Sequence, residues 1–168
     1  MSVLTDKEIK AILNEVNEEE SKIERDGDEI TINYEDAYEI ETIWLRKWQN
    51  EYGVTFYDLE LEYAHRNEEI HNCYSCHDAF CDDCPLKEIK DEIDNYIEKE
   101  INEYLKKPKI KIEVFDKLTI ERIIVERKCY VDVPHYHIYK GVRVRFETQD
   151  FSHVIAILKL RDLLYKLI

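Results

Sequence analysis

Four cysteines fall within the stretch CYSCHDAFCDDCP at residues 73–85. Cys73 and Cys76 form one C-x-x-C pair, and Cys81 and Cys84 form a second four residues later. A C-x-x-C turn brings two thiolates close enough to chelate one ion. A second pair folded over the first completes a tetrahedron of sulfur, the coordination that suits structural Zn²⁺. The loop offers only Tyr74, Ala79 and Phe80 as hydrophobic residues, so a metal would stand in for a core and its binding energy would become folding energy. Cys84 precedes Pro85, which suits the first position of a helix. The partial positive charge at such an N-terminus favours a thiolate. The expectation is a structural Zn²⁺ held by Cys73, Cys76, Cys81 and Cys84, stapling the segment before the loop to the helix after it.

The alternative metal is an iron–sulfur cluster. Cys76-x4-Cys81-x2-Cys84 resembles the first part of the plant-type ferredoxin run, over fewer than ten residues, and a Cys-Pro closes bacterial runs. The bacterial three-cysteine spacing is not met, and the surrounding pattern is not a ferredoxin's. A thiol redox pair is disfavoured because the C-x-x-C follows no strand of a βαβ unit. His71 and His77 flank the loop and become unnecessary as ligands once four cysteines are present.

A second set of metal-ligating types is His135 and His137 in PHYHIY. Two apart on a strand, they leave the same face, and a third ligand could come from His153, Glu147, Asp132 or Cys129. H-x-H alone is weak, and two surface histidines on a polar strand face account for it as well. Cys129 is the fifth, odd cysteine and reads as a small buried apolar residue. The chain has 3 glycines and no Gly-rich phosphate loop, no G-x-S-x-G and no H-E-x-x-H. A metalloenzyme built on His135 and His137 is therefore the third of three readings.

The elements that would carry these residues follow from periodicity. Thr5 to Glu8 reads as a capping box, and Ile9, Ile12, Leu13, Val16 and Ile23 extend a helix over 6–25. Asp26-Gly27-Asp28 ends it, and EITIN at 29–33 is a short extended link. Ala37, Ile40, Trp44, Trp48 and Tyr52 mark one face of a second helix closed by Gly53. Thr55 opens a third, with Phe56, Leu59, Tyr63 and Ile70 inward. Pro85 opens a fourth, in which Leu86, Ile89, Ile93, Ile97, Ile101 and Leu105 recur every fourth residue. After Pro108 the period becomes two, giving three or four antiparallel strands over 109–148 with a turn or bulge at Lys140-Gly141. The last segment, from Asp150, is a helix apolar over most of its circumference, which implies burial on two sides or self-association. The expected class is α+β. An acidic helical lobe with a four-cysteine metal knuckle occupies 1–107, and a small basic β-meander with a closing helix occupies 108–168, the two forming one compact unit.

Charge separates the same two parts. The formal net charge is −14. Residues 1–105 carry 30 acidic against 10 basic side chains, and residues 106–168 carry 8 against 14. Glu18, Glu19, Glu20, Glu88, Asp91, Glu92, Glu100 and Glu103 would form a negative surface that repels nucleic acid and attracts basic partners. The commonest large basic surfaces inside cells belong to proteins that handle DNA or RNA. The first expectation is therefore a non-enzymatic interaction module that binds such a protein as regulator, inhibitor or accessory subunit. The alternative is direct nucleic-acid binding by the β part. There Lys106, Lys107, Lys109 and Lys111 cluster, Arg143 and Arg145 share a strand face, and Tyr130, Tyr136 and Tyr139 offer rings for stacking. No apolar run is long enough for a membrane span. The first twenty residues lack a basic region followed by an apolar one, so no secretory signal is expected. A reducing, intracellular and cytoplasmic setting follows, in which clustered cysteines are metal ligands. The apolar last helix leaves room for a homodimer.

Overall fold

The computed structural model describes residues 3–36, 39–72, 110–113, 116–130 and 134–166, together with Lys99, Asn102, Glu103, Leu105 and Lys106. Among the described residues, seven strands form one antiparallel sheet, and the main helices are α1 (Asp6–Leu13) and α2 (Phe151–Tyr165). The strands are β1 (Lys22–Asp26), β2 (Glu29–Glu35), β3 (Glu39–Gln49), β4 (Thr55–Asn72), β5 (Ile110–Glu113), β6 (Lys117–Tyr130) and β7 (Pro134–Thr148), in spatial order β1-β2-β3-β4-β7-β6-β5. The expected N-terminal helical lobe is absent among the described residues, where 22–72 are mostly strand. Strands before and after the cysteine stretch belong to the same sheet, because β4 pairs with β7 from Tyr57–Thr148 to Asn72–His135. The strands of 109–148 are thus one flank of a large sheet and not a small separate meander.

Each departure from the expected helices has a physical reason. The first helix stops at Leu13 with its capping box intact: Glu8 N–H donates to Thr5 Oγ1 at 3.1 Å and Thr5 N–H donates to Glu8 at 2.9 Å. Extending it would place Glu15, Glu18, Glu19 and Glu20 at the negative end of the macrodipole. Residues 39–49 and 55–64 satisfy a period of two better than a period of four. Ile43 and Leu45 of β3, and Tyr57, Leu59 and Leu61 of β4, alternate into the core, with partly buried Tyr63 continuing the β4 row. Ile, Thr and Trp favour a half-buried pleated surface. Between them Asn50 accepts from the N–H groups of Tyr52 and Val54, and Gly53 takes φ 77°, which closes a hairpin where a helix end was expected. Likewise Gly27, at φ 55°, turns β1 into β2 across a two-residue loop.

Gly141 is neither a turn nor a bulge. It sits inside β7 opposite Ala64, where a Cβ would lie 1.8 Å from the Tyr63 carbonyl oxygen. The register shifts fall in β4 instead, at Arg66–Glu68 and Glu69–His71. In the expected fourth helix, Lys99, Asn102, Glu103 and Leu105 are helical; the rest of it lies outside the described residues.

Both α1 and α2 cover the same face of the sheet. Ile9 and Ile12 of α1 and Val154, Leu158 and Tyr165 of α2 meet Ile30, Ile32, Ile43, Leu45, Leu59, Leu61, Val142 and Val144. Asp150 caps α2 by accepting from Ser152 N–H at 2.9 Å. The expected two-sided burial of this last helix is not complete, because Leu160 and Leu163 remain 47% and 61% exposed. Among the described residues no helix is long and apolar enough to cross a membrane.

Candidate functional site

Cys73, Cys76, Cys81 and Cys84 lie outside the described residues, as do Glu88, Asp91, Glu92, Glu100, Lys107 and Lys109. Of the expected acidic surface, Glu18, Glu19 and Glu20 are exposed on the connection between α1 and β1, and Glu103 is exposed on helical backbone. His135 and His137 lie in β7. His135 stands opposite Cys129 of β6 and Asn72 of β4, and His137 opposite Arg127 and Glu69. Glu147 is at the far end of that strand, twelve residues or roughly 40 Å away at strand rise. His153 is further committed there, with Nδ1 2.7 Å from Asp116 and 3.3 Å from Thr148. Neither can join the histidine pair as a third ligand.

Arg143 and Arg145 share the sheet face opposite the helices, since Val142, Val144 and Phe146 alternate with them into the core. Their charge is taken up within that face. Arg143 Nε lies 2.7 Å from Glu62 and 3.6 Å from Glu60, and Nη1 lies 3.5 Å from Glu121. Burial alone would lower its pKa; Glu62, Glu60 and Glu121 more than reverse that and hold it above its ordinary value. Arg145 Nε is 3.7 Å from Glu60. A cleft of about 320 Å³ on this face is lined by Lys117 and Arg145 but also by Asp58, Glu60 and Glu147, with Trp44 beside them. Its charges offset one another. Asp58 Oδ1, and Nε1 of Trp48 four residues beyond Trp44, are buried without a hydrogen-bond partner among the described residues. Lys106 is exposed, and Lys111 stands opposite Thr119 in the β5–β6 register.

The helix-covered face carries a different arrangement. At one end of β3, Glu8 accepts from Lys47 Nζ at 2.9 Å, from Tyr57 Oη and from the Thr5 backbone. Burial pushes the Glu8 carboxyl up, but the bonds from Thr5, Tyr57 and Lys47 outweigh it and hold the group below the usual carboxylate range. At the other end of β3, a cavity of about 270 Å³ opens between the α1–β1 connection, β2, β3, β4 and α2. Its wall includes Glu20, Glu39, Glu41 and Asp162, with Arg161 as the one cation among the described residues and Tyr34 and Tyr63 as the aromatic side chains.

The groups in that wall are held firmly. Tyr63 Oη donates to Glu39 Oε2 at 2.9 Å, and its ring stacks on Tyr165 at 4.6 Å. Tyr165 Oη donates to Glu41 Oε2 at 2.5 Å. Arg161 Nε donates to the same oxygen at 3.1 Å, while its Nη1 donates to the carbonyls of Glu15 and Leu158 at 2.9 Å each. The Tyr165 phenol is pushed up by burial and then by Glu41; that of Tyr63 by burial and then by Glu39. Tyr34 donates to Asp36 at 2.7 Å; that bond, desolvation and the nearby Asp36, Glu20 and Glu39 charges push its phenol up to about 12. All three phenols therefore stay neutral donors at physiological pH. Oε1 of Glu39 and of Glu41 accepts no hydrogen bond from the described residues.

Of this cavity only Glu20 stood among the candidates from sequence. Glu39 and Glu41 were missed because 37–52 read as helix, and Tyr63 because the segment from Thr55 read as a third; Tyr34 and Asp162 carried no signal of their own. The signal was Glu39-x-Glu41 in a segment of alternating character, which on a strand puts both carboxylates on one face. No protein-family model, no curated protein and no solved structure matches the chain.

Proposed function

We propose that this protein is a non-enzymatic interaction module whose acidic surface engages a basic protein, with a DNA- or RNA-handling protein as the class of partner, in an intracellular setting. The observation that carries the reading is the cavity beside the α1–β1 connection. Four carboxylates face one guanidinium in its wall, and Glu18 and Glu19 continue the negative charge outside it. A surface of this kind steers a cationic partner toward it and repels nucleic acid. The excess of 30 acidic over 10 basic side chains in residues 1–105 supplies the long-range field. The internal pairing of Arg143 and Arg145 with Glu60, Glu62 and Glu121 favours this reading over direct nucleic-acid binding.

The four-cysteine zinc staple is a separate part of the proposal and rests on the spacing of Cys73, Cys76, Cys81 and Cys84. A colourless protein with one zinc per chain supports it; a brown one containing iron replaces zinc with an iron–sulfur cluster. Binding is tested by titrating the native chain with a short oligolysine peptide, an oligoarginine peptide and labelled single- and double-stranded oligonucleotides at low salt. Peptide binding that weakens as salt rises and after Glu18→Lys plus Glu19→Lys, with no oligonucleotide binding, supports the module. Oligonucleotide binding without peptide binding overturns it.

A further inference from the structure

We infer that the cavity beside the α1–β1 connection receives the guanidinium of one arginine side chain from the basic partner, an assignment that rests on the acidic-module reading above. The argument starts with Glu39 and Glu41. They are two residues apart on β3, so they share a face roughly 7 Å from one another along the strand. Each already accepts a tyrosine hydroxyl through Oε2, and each keeps Oε1 without a hydrogen bond among the described residues. Two carboxylates on one face, each with an oxygen uncommitted among the described residues, suit a donor whose N–H groups spread across a plane and can meet both. An ammonium is a compact point charge and satisfies one of them at a time.

Three further observations select the same chemistry. Tyr34 and Tyr63 stand in the wall with the carboxylates, and a guanidinium combines carboxylate pairing with stacking on aromatic rings. The cavity already contains one guanidinium paired with a carboxylate, because Arg161 bridges Glu41 to two backbone carbonyls. Yet Glu20, Glu39 and Asp162 leave the wall in negative excess after that pairing. The hydroxyls of Tyr63 and Tyr165 take up only Oε2 of Glu39 and Glu41, which leaves Oε1 of each to a ligand.

Calorimetric titration of the full chain with oligoarginine and oligolysine peptides of equal length tests the assignment. The native chain is expected to prefer oligoarginine by about tenfold, the scale of one stacked and forked contact. Glu39→Gln keeps an acceptor for Tyr63 but removes the charge, and it reduces that preference to about twofold or less with an unchanged melting temperature. Glu18→Gln plus Glu19→Gln, outside the cavity, weakens both peptides equally and keeps the preference. Equal affinity of the native chain for both peptides, or a preference that survives Glu39→Gln, overturns the arginine assignment and leaves the acidic module standing. Failure of both peptides to bind at low salt overturns the module, and the assignment with it.

Discussion

Two glutamate–tyrosine networks occupy the same face of the sheet at opposite ends of β3, about 20 Å apart at strand rise, and they are finished to different degrees. At the α1 end, Glu8 collects the Thr5 backbone, Lys47 and Tyr57, and both its oxygens are used. At the α2 end, Glu41 collects Arg161 and Tyr165 through one oxygen and Glu39 collects Tyr63 through one oxygen, and both residues line an open cavity. The ingredients are alike: a carboxylate, a tyrosine hydroxyl and a cation. The first network closes the interface between helix and sheet. The second leaves acceptor capacity beside solvent. A satisfied buried network stabilises and specifies a fold, whereas acceptors left over at a cavity are available to a ligand.

The largest expected effect that separates the two ends comes from Gly141→Ala. Its new methyl would meet the Tyr63 carbonyl at 1.8 Å and Ala64 Cα at 2.6 Å. Backbone is in the way, so β4 and β7 must part at the residue that carries the cavity tyrosine. A cost of about 3 kcal/mol is expected, at the upper end for overpacking, measured by denaturant unfolding. Where the variant folds, amide exchange should accelerate around Tyr63 and Ala64 more than around Tyr57 and Leu59. Uniform acceleration along β4 would mean the ends are not independent.

Glu8→Gln comes next. It leaves Lys47 short of its partner in a site where the Glu8 and Lys47 side chains are 11% and 15% exposed. The expected loss is about 2–3 kcal/mol, typical of breaking a buried charged hydrogen bond. Its pH dependence identifies the cause. The folded-state carboxyl sits below its ordinary value of 4.5, so the unfolded chain takes up the proton first as pH falls. The stability Glu8 contributes is then complete above that value and lost as pH drops through the folded pKa. Native and Glu8→Gln melting temperatures should differ by a constant amount near neutrality and converge in acid. A gap that stays constant down to about pH 3, well into the acid range where carboxylates protonate, would exclude the charge as its source.

Glu41→Gln is expected to cost less, about 1–2 kcal/mol, because the amide still accepts from Tyr165 or Arg161 but no longer pairs with the guanidinium charge. Thermal unfolding measures it. A loss as large as that of Glu8→Gln would make Glu41 a closed structural group like its counterpart and weaken the case for spare capacity at the cavity.

What could be seen in advance follows the same division. The capping box at Thr5 and Glu8 was legible because it is local, whereas Gly27 read as the end of a helix and is the turn between β1 and β2. The alternation after Pro108 was legible because nothing competes with it. Strands β3 and β4 were not, because Ile40, Trp44 and Trp48 fall four apart, a spacing that one face of a helix and one face of a strand both allow, and only pairing with β2 and β7 decides between the periods. That is a long-range fact outweighing local propensity. The cavity was lost with those strands. Glu39 and Glu41 share a face on a strand and diverge on a helix, while Arg161 and Tyr165 reach Glu41 across 120 and 124 residues of sequence.

Tyr63→Phe has the smallest effect on stability and the sharpest bearing on the comparison. The ring and its stacking on Tyr165 remain, and only the hydroxyl that donates to Glu39 at 2.9 Å is removed. The cost should stay below about 1 kcal/mol, the net value of one partly exposed hydrogen bond. Glu39 then has both oxygens free at the cavity. If those oxygens serve an incoming guanidinium, the oligoarginine dissociation constant should fall by about twofold, a few tenths of a kcal/mol, while oligolysine affinity hardly moves. The equivalent change at the finished end, Tyr57→Phe, takes a donor from the buried Glu8 and should lower stability without altering either peptide. Weaker oligoarginine binding after Tyr63→Phe would instead mean that the hydroxyl holds Glu39 in its binding position, and that the network at the cavity is as closed as the one at α1.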